Sequence, residues 1–150
     1  MIHGSRLCTF YVDQLWAGIA VERVQEVVPS LALTHVPLAP PAVAGLFSLR
    51  GQIATAIDLR RRLALRESPA ADATSMLVVL SNNAALGLIV DGIGEVVEAP
   101  YEALETALVS LPAHCRGLVP YVCKFPGRLL HVLDLDMILD DDNLSQSGKP

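Results

Sequence analysis

The sequence has few aromatic residues and a shortage of positive charge. Aromatics make up 5% of its 150 residues, and 11 Lys and Arg stand against 16 Asp and Glu, for a formal net charge of −5. Nucleic acids and anionic membranes are bound through dense Lys and Arg, and single-stranded nucleic acids also through stacked aromatic rings. The composition therefore disfavours a small nucleic-acid-binding barrel, which we keep as the alternative from another functional class.

Long hydrophobic runs are also absent. Asp13 interrupts the first apolar run, so no signal peptide is expected, and no run is long enough to cross a bilayer. The three cysteines, at positions 8, 115 and 123, form no CxxC pair. An odd number of unpaired thiols is typical of reduced cysteines in the cytoplasm. We therefore predict a cytoplasmic protein without disulfides and without direct membrane insertion.

Motifs for catalysis and cofactor binding are missing as well. The sequence has no GxSxG, no glycine-rich phosphate loop and no HExxH, and its four histidines have no ligands at metal-binding spacing. Adjacent side chains such as His114 and Cys115 point opposite ways in an extended chain. We expect no enzyme, no metal and no cofactor. A hydrolase that uses Cys115 or Cys123 is the alternative, and thiol-blocking reagents would test it.

The sequence does contain paired apolar runs that are joined by turn-forming residues. Such pairs predict β-hairpins. Short helical turns are expected after Asp58 and Asp134, whose side chains are placed to cap them. The pattern predicts an all-β protein with four hairpins, at 7–12 with 15–21, 45–49 with 52–59, 76–81 with 84–90, and 117–125 with 129–135.

An internal duplication is also visible. GIAVERVQEVV (18–28) aligns without gaps with GLIVDGIGEVV (87–97) at a spacing of 69 residues, which places Glu26 on Glu95. Gly45 then matches Gly117 at a spacing of 72, and the IDL at 57–59 matches the LDL at 133–135 at 76. Matching order with slowly growing spacing indicates a repeat.

The repeat has consequences for the architecture. Each copy holds the strands of a small barrel of about five strands, and a unit of that size buries too little surface to be robust alone. We therefore expect the two barrels to pack on each other. The prediction is one domain, 1–143, made of sub-barrels at about 7–65 and 76–140 that could exchange strands, followed by a flexible tail, 144–150.

Two sets of arginines are candidates for a binding role. Arg60, Arg61 and Arg62 form the only basic cluster and are interpreted as a solvated helical face. Arg50 has no arginine counterpart at the 72-residue spacing, where Val122 stands. A purely structural need would tend to appear in both copies. The asymmetry therefore favours a partner-facing Arg50, with a solvated turn arginine as the alternative.

Several motifs in order carry a resemblance to a known family. VERVQEVV, THVPLAPPAVAGL, SLRGQIATAIDLRRRL, GLIVDGIGEVV and GRLLHVLDLDMIL are together similar to the CheW-like domains of bacterial chemotaxis coupling proteins, over roughly 7–139. The resemblance implies two intertwined five-stranded SH3-like barrels with short helical turns. It implies a non-catalytic adaptor that couples methyl-accepting chemoreceptors to a CheA-type histidine kinase and is recruited to membrane-associated receptor arrays.

The resemblance also implies roles for particular residues. The helical tips of receptors would dock in a groove between the barrels, and the kinase's regulatory domain, itself CheW-like, would pair through the barrel ends. Gly45 and Gly51 match glycines that shape the hairpin. Ser48 and Ala54-Thr55 depart from the family pattern, so an adaptor of a pilus or gliding pathway is the alternative. The positions that match the receptor groove are Val24, Glu26, Arg50, Leu77, Ile93 and Val96.

Overall fold

The structure, a computed structural model, describes residues 6–29, 32–65, 74–107 and 117–140. Within these ranges nearly all regular structure is β, as predicted, with two α-helices of one turn each, α1 (Leu59–Arg62) and α2 (Leu135–Ile138), and two 3-10 turns, Val21–Arg23 and Tyr101–Ala103. The strands are β1 (Arg6–Val12), β2 (Leu15–Ala20), β3 (Val24–Pro29), β4 (Val43–Leu49), β5 (Gln52–Asp58), β6 (Ser75–Ser81), β7 (Ala84–Val90), β8 (Gly92–Glu98), β9 (Leu104–Thr106), β10 (Tyr121–Phe125) and β11 (Arg128–Val132).

The four predicted hairpins are confirmed as the pairs β1/β2, β4/β5, β6/β7 and β10/β11. The fourth hairpin is shorter than predicted, because its first strand begins at Tyr121 rather than at residue 117. Strands β3, β8 and β9 were not predicted separately. The two helical turns begin where expected, and their caps are confirmed: Asp58 accepts from the Arg61 amide at 3.3 Å, and Asp134 from the Met137 amide at 3.2 Å.

The strands form two sheets that each draw on both halves of the sequence. The six-stranded sheet has the order β8-β1-β2-β11-β10-β9, and the five-stranded sheet has the order β3-β6-β7-β5-β4. Parallel pairing of β11 with β2 and of β5 with β7 joins the halves, whereas the hairpins are antiparallel. The chain crosses from one sheet to the other between β2 and β3 and again between β7 and β8. The contiguous sub-barrels at 7–65 and 76–140 therefore do not coincide with the sheets.

The largest buried cluster lies between the sheets. It combines Phe10 and Ile19 of the six-stranded sheet with Leu77, Val79 and Leu88 of the five-stranded sheet. Its members Leu59 and Leu135 come from the two helical turns. Apolar surface from both sheets is removed from water in this cluster, which is the main favourable term in folding. The sheets thus share a core, as the small size of each copy led us to expect.

The repeat is structural, with one correction to its alignment. Gly45 pairs with Ala56, and Tyr121 with Val132, so the two hairpins correspond at a spacing of 76 residues along their length. The match of Gly45 with Gly117 at 72 residues is therefore wrong. The additional residues of the second copy lie before β10 rather than inside its hairpin.

Candidate functional site

The Arg-Gly pair after β4 forms a tight two-residue turn. Arg50 and Gly51 both have positive φ, +52° and +80°, as the two central residues of a type I′ hairpin turn require. The Arg50 guanidinium bonds both carboxylate oxygens of Glu26 in a bidentate ion pair: Nη2 donates to Oε1 at 2.8 Å, and Nη1 donates to Oε2. The pair is accessible, since 69% of the Arg50 side chain and 20% of the Glu26 side chain are exposed.

This ion pair joins opposite sides of the five-stranded sheet. Glu26 lies on the edge strand β3, and Arg50 follows β4 at the tip of the β4/β5 hairpin. In a flat sheet β3 and β5 would stand three strand spacings apart, about 14 Å. The direct contact shows that the sheet curls until the hairpin tip reaches the far edge.

A β-bulge aims Glu26 at this contact. Val24 pairs with Val79 and Glu26 with the adjacent Val78, so Gln25 is an extra residue in β3. Without the bulge, strict alternation would place Val24 and Glu26 on the same face of the strand. With it, Val24 and the exposed Val27 share the face of their partners on β6, and Glu26 turns to the other side.

The same device recurs in β8, the strand that corresponds to β3. Ile93 pairs with Phe10 and Val96 with Cys8, so Gly94 and Glu95 together stand opposite Thr9 in a bulge. The Thr9 hydroxyl donates to the Glu95 carbonyl oxygen at 2.5 Å. Ile93 and Val96 consequently lie on one face, and Glu95 points to the β10/β11 hairpin, where it forms an ion pair with Arg128 at 3.8 Å.

Arg128 is therefore the structural counterpart of Arg50, which corrects the interpretation that Arg50 has none. Sequence alignment missed it because Arg128 follows its turn, whereas Arg50 lies within its turn. The two arginines are held differently. Arg128 also stacks over the Trp16 ring, with its guanidinium carbon 3.6 Å from the ring centre, and donates to the Tyr11 hydroxyl at 3.0 Å. Arg50 is the more exposed of the two, at 69% against 42%.

Exposed aliphatic side chains occur at equivalent positions of the strands beside each ion pair in the sequence. Val27 and Val96 are 46% and 45% exposed, and Ile53 and Leu129, each on the strand after its hairpin turn, are 70% and 37% exposed. We call Glu26, Val27, Arg50 and Ile53 the β3 surface, and Glu95, Val96, Arg128 and Leu129 the β8 surface. Exposed apolar residues at a charged rim are typical of protein-binding surfaces. Val27, Ile53 and Leu129 were not predicted. Ile53 and Leu129 each precede a buried residue on their strand, and this alternation was a usable signal.

The other predicted groove positions differ in their exposure to solvent. Val24 packs against the core between the sheets, and Ile93 is 41% exposed on β8. Leu77 has no exposed surface and belongs to the same core, because its side chain packs in the layer between the two sheets. It supports the β3 surface from beneath and does not line it. Strands β3 and β8 are edges of different sheets.

The two hairpin glycines are explained by geometry. A Cβ on Gly45, which has φ +154°, would stand 2.6 Å from the Thr34 carbonyl oxygen, where residues 34 and 46 pair as an isolated bridge. Gly45 therefore permits close approach of two backbones. A Cβ on Gly51 would meet no other atom, so space does not require glycine there. Its φ of +80° does, because residues with a side chain rarely adopt that conformation.

The basic cluster is not a solvated face. Arg62 is fully buried, and Arg60, with 15% of its side chain exposed, forms ion pairs with Asp13 at 3.5 Å and with Asp91. Asp13 lies in the β1/β2 turn and Asp91 at the crossover between β7 and β8, so Arg60 ties α1 to the six-stranded sheet. The prediction holds only for Arg61, half of whose side chain is exposed. The spacing of charges along the sequence could not reveal which arginines turn inward.

Other chemistry is limited in the described residues. They contain no group of three metal-ligating side chains and no helix able to span a membrane. Cys8 and Cys123 are free, and burial raises the pKa of both thiols above the ordinary value of about 9.0. Cys115 lies outside the described residues, as does the predicted tail at 144–150.

Comparison with known proteins places these features in a family. A family model described as CheW, a CheW-like domain, matches residues 6–143. The chain is 31% identical over 145 residues to the chemotaxis protein CheW of Treponema pallidum (strain Nichols), covering 94% of this chain and 85% of that protein. It is 29% identical over 147 residues to the chemotaxis protein CheW of Bacillus subtilis (strain 168), covering 98% and 94%.

A solved structure is similar as well. The crystal structure of the scaffolding protein TtCheW from Thermoanaerobacter tengcongensis superposes with a TM-score of 0.82 at 21% identity, covering 94% of this chain and 96% of that one. This similarity supports the fold.

Proposed function

This chain belongs to the CheW-like domain family, whose members are non-catalytic adaptors, and we propose that it couples methyl-accepting chemoreceptors to a CheA-type histidine kinase. It acts in the cytoplasm and is recruited to membrane-associated receptor arrays through its partners. The observation that carries the proposal is the β3 surface, where the elements that hold the accessible bidentate Glu26–Arg50 pair also carry the exposed aliphatic side chains Val27 and Ile53.

The chemistry of this surface suits an amphipathic helix such as the cytoplasmic tip of a receptor. Aliphatic side chains bury against the apolar stripe of a helix, and a fixed charge pair selects orientation and register. Ile93 and Val96 are further exposed apolar groove positions, on β8. Within the proposal, Val24, Glu26, Arg50, Ile93 and Val96 contribute to receptor binding, with Leu77 as support from the core.

The regulatory domain of the kinase is the second partner. Two surfaces of the same composition, the β3 and β8 surfaces, stand on the two sheets, so the chain offers more than one docking face. A partner that is itself built from two such sheets could present matching faces. Nucleic acid stays disfavoured, because Arg50, Arg60 and Arg128 are already paired with carboxylates.

The test is to titrate the chain with a receptor cytoplasmic fragment and to measure kinase autophosphorylation in the reconstituted mixture. We expect Arg50→Ala to weaken receptor binding about thirtyfold, corresponding to about 2 kcal/mol, as for an arginine at the centre of an interface. Arg61→Ala, which removes an exposed arginine on α1, is the matched control and should leave affinity unchanged.

A charge swap separates structure from recognition. The double variant Glu26→Arg with Arg50→Glu can re-form the ion pair within the chain, so its stability should exceed that of either single variant. If the partner recognises the charges themselves, receptor binding stays impaired in the swap. Unchanged affinity in both Arg50→Ala and the swap would contradict the proposed receptor site.

A further inference from the structure

Thr9, on β1, is buried although its side chain is polar. Among the residues that the structure describes, the buried ones with polar or charged side chains are Thr9, with 1% of its surface exposed, and Arg62, with none. A buried hydroxyl is costly unless it is hydrogen-bonded. The Thr9 hydroxyl donates to the Glu95 carbonyl oxygen at 2.5 Å. It therefore joins β1 to β8 at the bulge, where the two strands depart from regular pairing.

Gly94 leaves room for this hydroxyl. A Cβ added at Gly94 would overlap the Thr9 hydroxyl oxygen. The φ of Gly94 is not positive, so its backbone conformation does not by itself require glycine. Gly92, two residues earlier on the same strand, differs, because a Cβ there would lie 3.8 Å from the Tyr11 ring in an ordinary contact. The close approach of Thr9 is therefore what excludes a side chain at position 94.

The equivalent bulge in β3 is built without such a contact. At the 69-residue spacing of the repeat, Val78 corresponds to Thr9, and Gln25 corresponds to Gly94. Val78 has no hydroxyl, and it pairs directly with Glu26 in the ladder between β3 and β6. In the ladder between β1 and β8 the register shifts at Thr9 instead. The hydroxyl bond thus takes the place of a regular residue pair in β8.

The bulge decides which residues of β8 share a face. Ile93 pairs with Phe10, and Val96 pairs with Cys8. Side chains alternate along a strand, so residues 8 and 10 lie on the same face of β1, and their partners lie on one face of β8. Ile93 and Val96 are 41% and 45% exposed there. Without the bulge, two residues three positions apart would lie on opposite faces.

We propose that Thr9 is a positioning residue for receptor binding: its hydroxyl holds the β8 bulge and so keeps Ile93 and Val96 together on the face that meets the receptor helix. This inference rests on the proposed function, to which the role of these two residues in receptor binding belongs. Thr9 is buried and acts through β8. A methyl group in place of its hydroxyl would stand at the same 2.5 Å from the Glu95 carbonyl oxygen, closer than a non-bonded carbon atom can approach. It would push this carbonyl away and favour regular pairing.

The test compares variants of the full chain by NMR and by titration with a receptor cytoplasmic fragment. Cross-strand NOEs between residues 8 and 96 and between residues 10 and 93 report the bulged register without any partner. We expect Thr9→Val and Gly94→Ala to lose these NOEs and to bind the fragment about tenfold more weakly. Thr9→Ser, which keeps the hydroxyl, and Gly92→Ala, which has space for its methyl group, should retain both the register and the affinity.

The double variant Ile93→Ala with Val96→Ala tells a failure of this inference from a failure of the proposed receptor site. If the double variant binds weakly but Thr9→Val and Gly94→Ala keep the wild-type NOEs or the wild-type affinity, the positioning role of Thr9 is wrong and the receptor site stands. If the double variant binds as wild type does, β8 takes no part in receptor binding, and its place in the receptor site and this inference are both contradicted. An equal loss of affinity in Thr9→Ser or Gly92→Ala would trace the loss to general destabilisation and would also overturn the inference.

Discussion

Replacement of the buried Arg62 should destabilise the protein more than that of any neighbouring arginine. Arg62 has no exposed surface, its Nε donates to the Ile138 carbonyl oxygen at 2.9 Å, and its Nη2 donates to the Met137 carbonyl oxygen at 3.0 Å. These carbonyls belong to the last turn of α2, where helices leave acceptors unsatisfied. Arg62, on α1, thus binds the carbonyl groups at the end of α2. It links the two helical turns, of which α1 follows β5 of the five-stranded sheet and α2 follows β11 of the six-stranded sheet.

The expected cost of Arg62→Met follows from these contacts. A hydrogen bond to a charged group contributes about 1.5–3 kcal/mol, and the Ile138 carbonyl, which loses this buried donor, adds a desolvation penalty. The Met137 carbonyl keeps the Asp140 amide at 3.4 Å. Methionine recovers part of this loss by filling the space with an apolar side chain. We expect a loss of about 3 kcal/mol in the free energy of unfolding, which lowers Tm by about 10 °C in a protein of this size.

The assay is urea and thermal unfolding of wild type, Arg62→Met, Arg62→Lys and Arg61→Met. Lysine keeps the charge and at most one of the two hydrogen bonds, so it should lie between wild type and Arg62→Met. Arg61→Met, on the exposed side of the same turn, should change stability by less than about 0.5 kcal/mol. A loss below about 1 kcal/mol in Arg62→Met would refute the reasoning that this arginine joins the two helical turns.

Three further outcomes are expected. Arg60→Met should lower the free energy of unfolding by about 2 kcal/mol, measured by urea unfolding, because it leaves Asp13 and Asp91 without their shared cation. An unchanged free energy of unfolding would mean that these two ion pairs do not stabilise the fold. Gly45→Ala should lower the free energy of unfolding by more than about 2 kcal/mol, because its Cβ would clash with the Thr34 carbonyl oxygen. Gly51→Ala should lower it by only about 1 kcal/mol, because only its positive φ is unfavourable for alanine. Equal losses in the two variants would contradict these two causes. Burial raises the pKa of the Cys8 and Cys123 thiols, so both should be alkylated slowly at neutral pH, and fast labelling of the folded protein at pH 7 would argue against burial. Because the unfolded chain releases these protons at a lower pH than the folded chain, the free energy of unfolding should fall as the pH rises past about 9.

The sequence alone determined the hairpins, the helical caps, the repeat and the family. These features depend on local chemistry: alternating apolar residues, turn residues at fixed positions and an aspartate ahead of each helical turn. The order of the motifs was sufficient for the family resemblance. Gly45 and Gly51 were identified through that resemblance, as matches to the glycines that shape the hairpin in the family.

The division of the strands between the two sheets, and the side chains that meet, are visible only in the folded protein. The parallel pairings join residues far apart in sequence, so the sheet to which each strand belongs could not be derived from local patterns. The bulges in β3 and β8 turn Glu26 and Glu95 away from the face that strict alternation assigns to them. Burial separated Leu77 from the exposed groove positions and Arg62 from the solvated Arg61. A side chain's surroundings are set by packing, and the sequence does not contain that packing in local form.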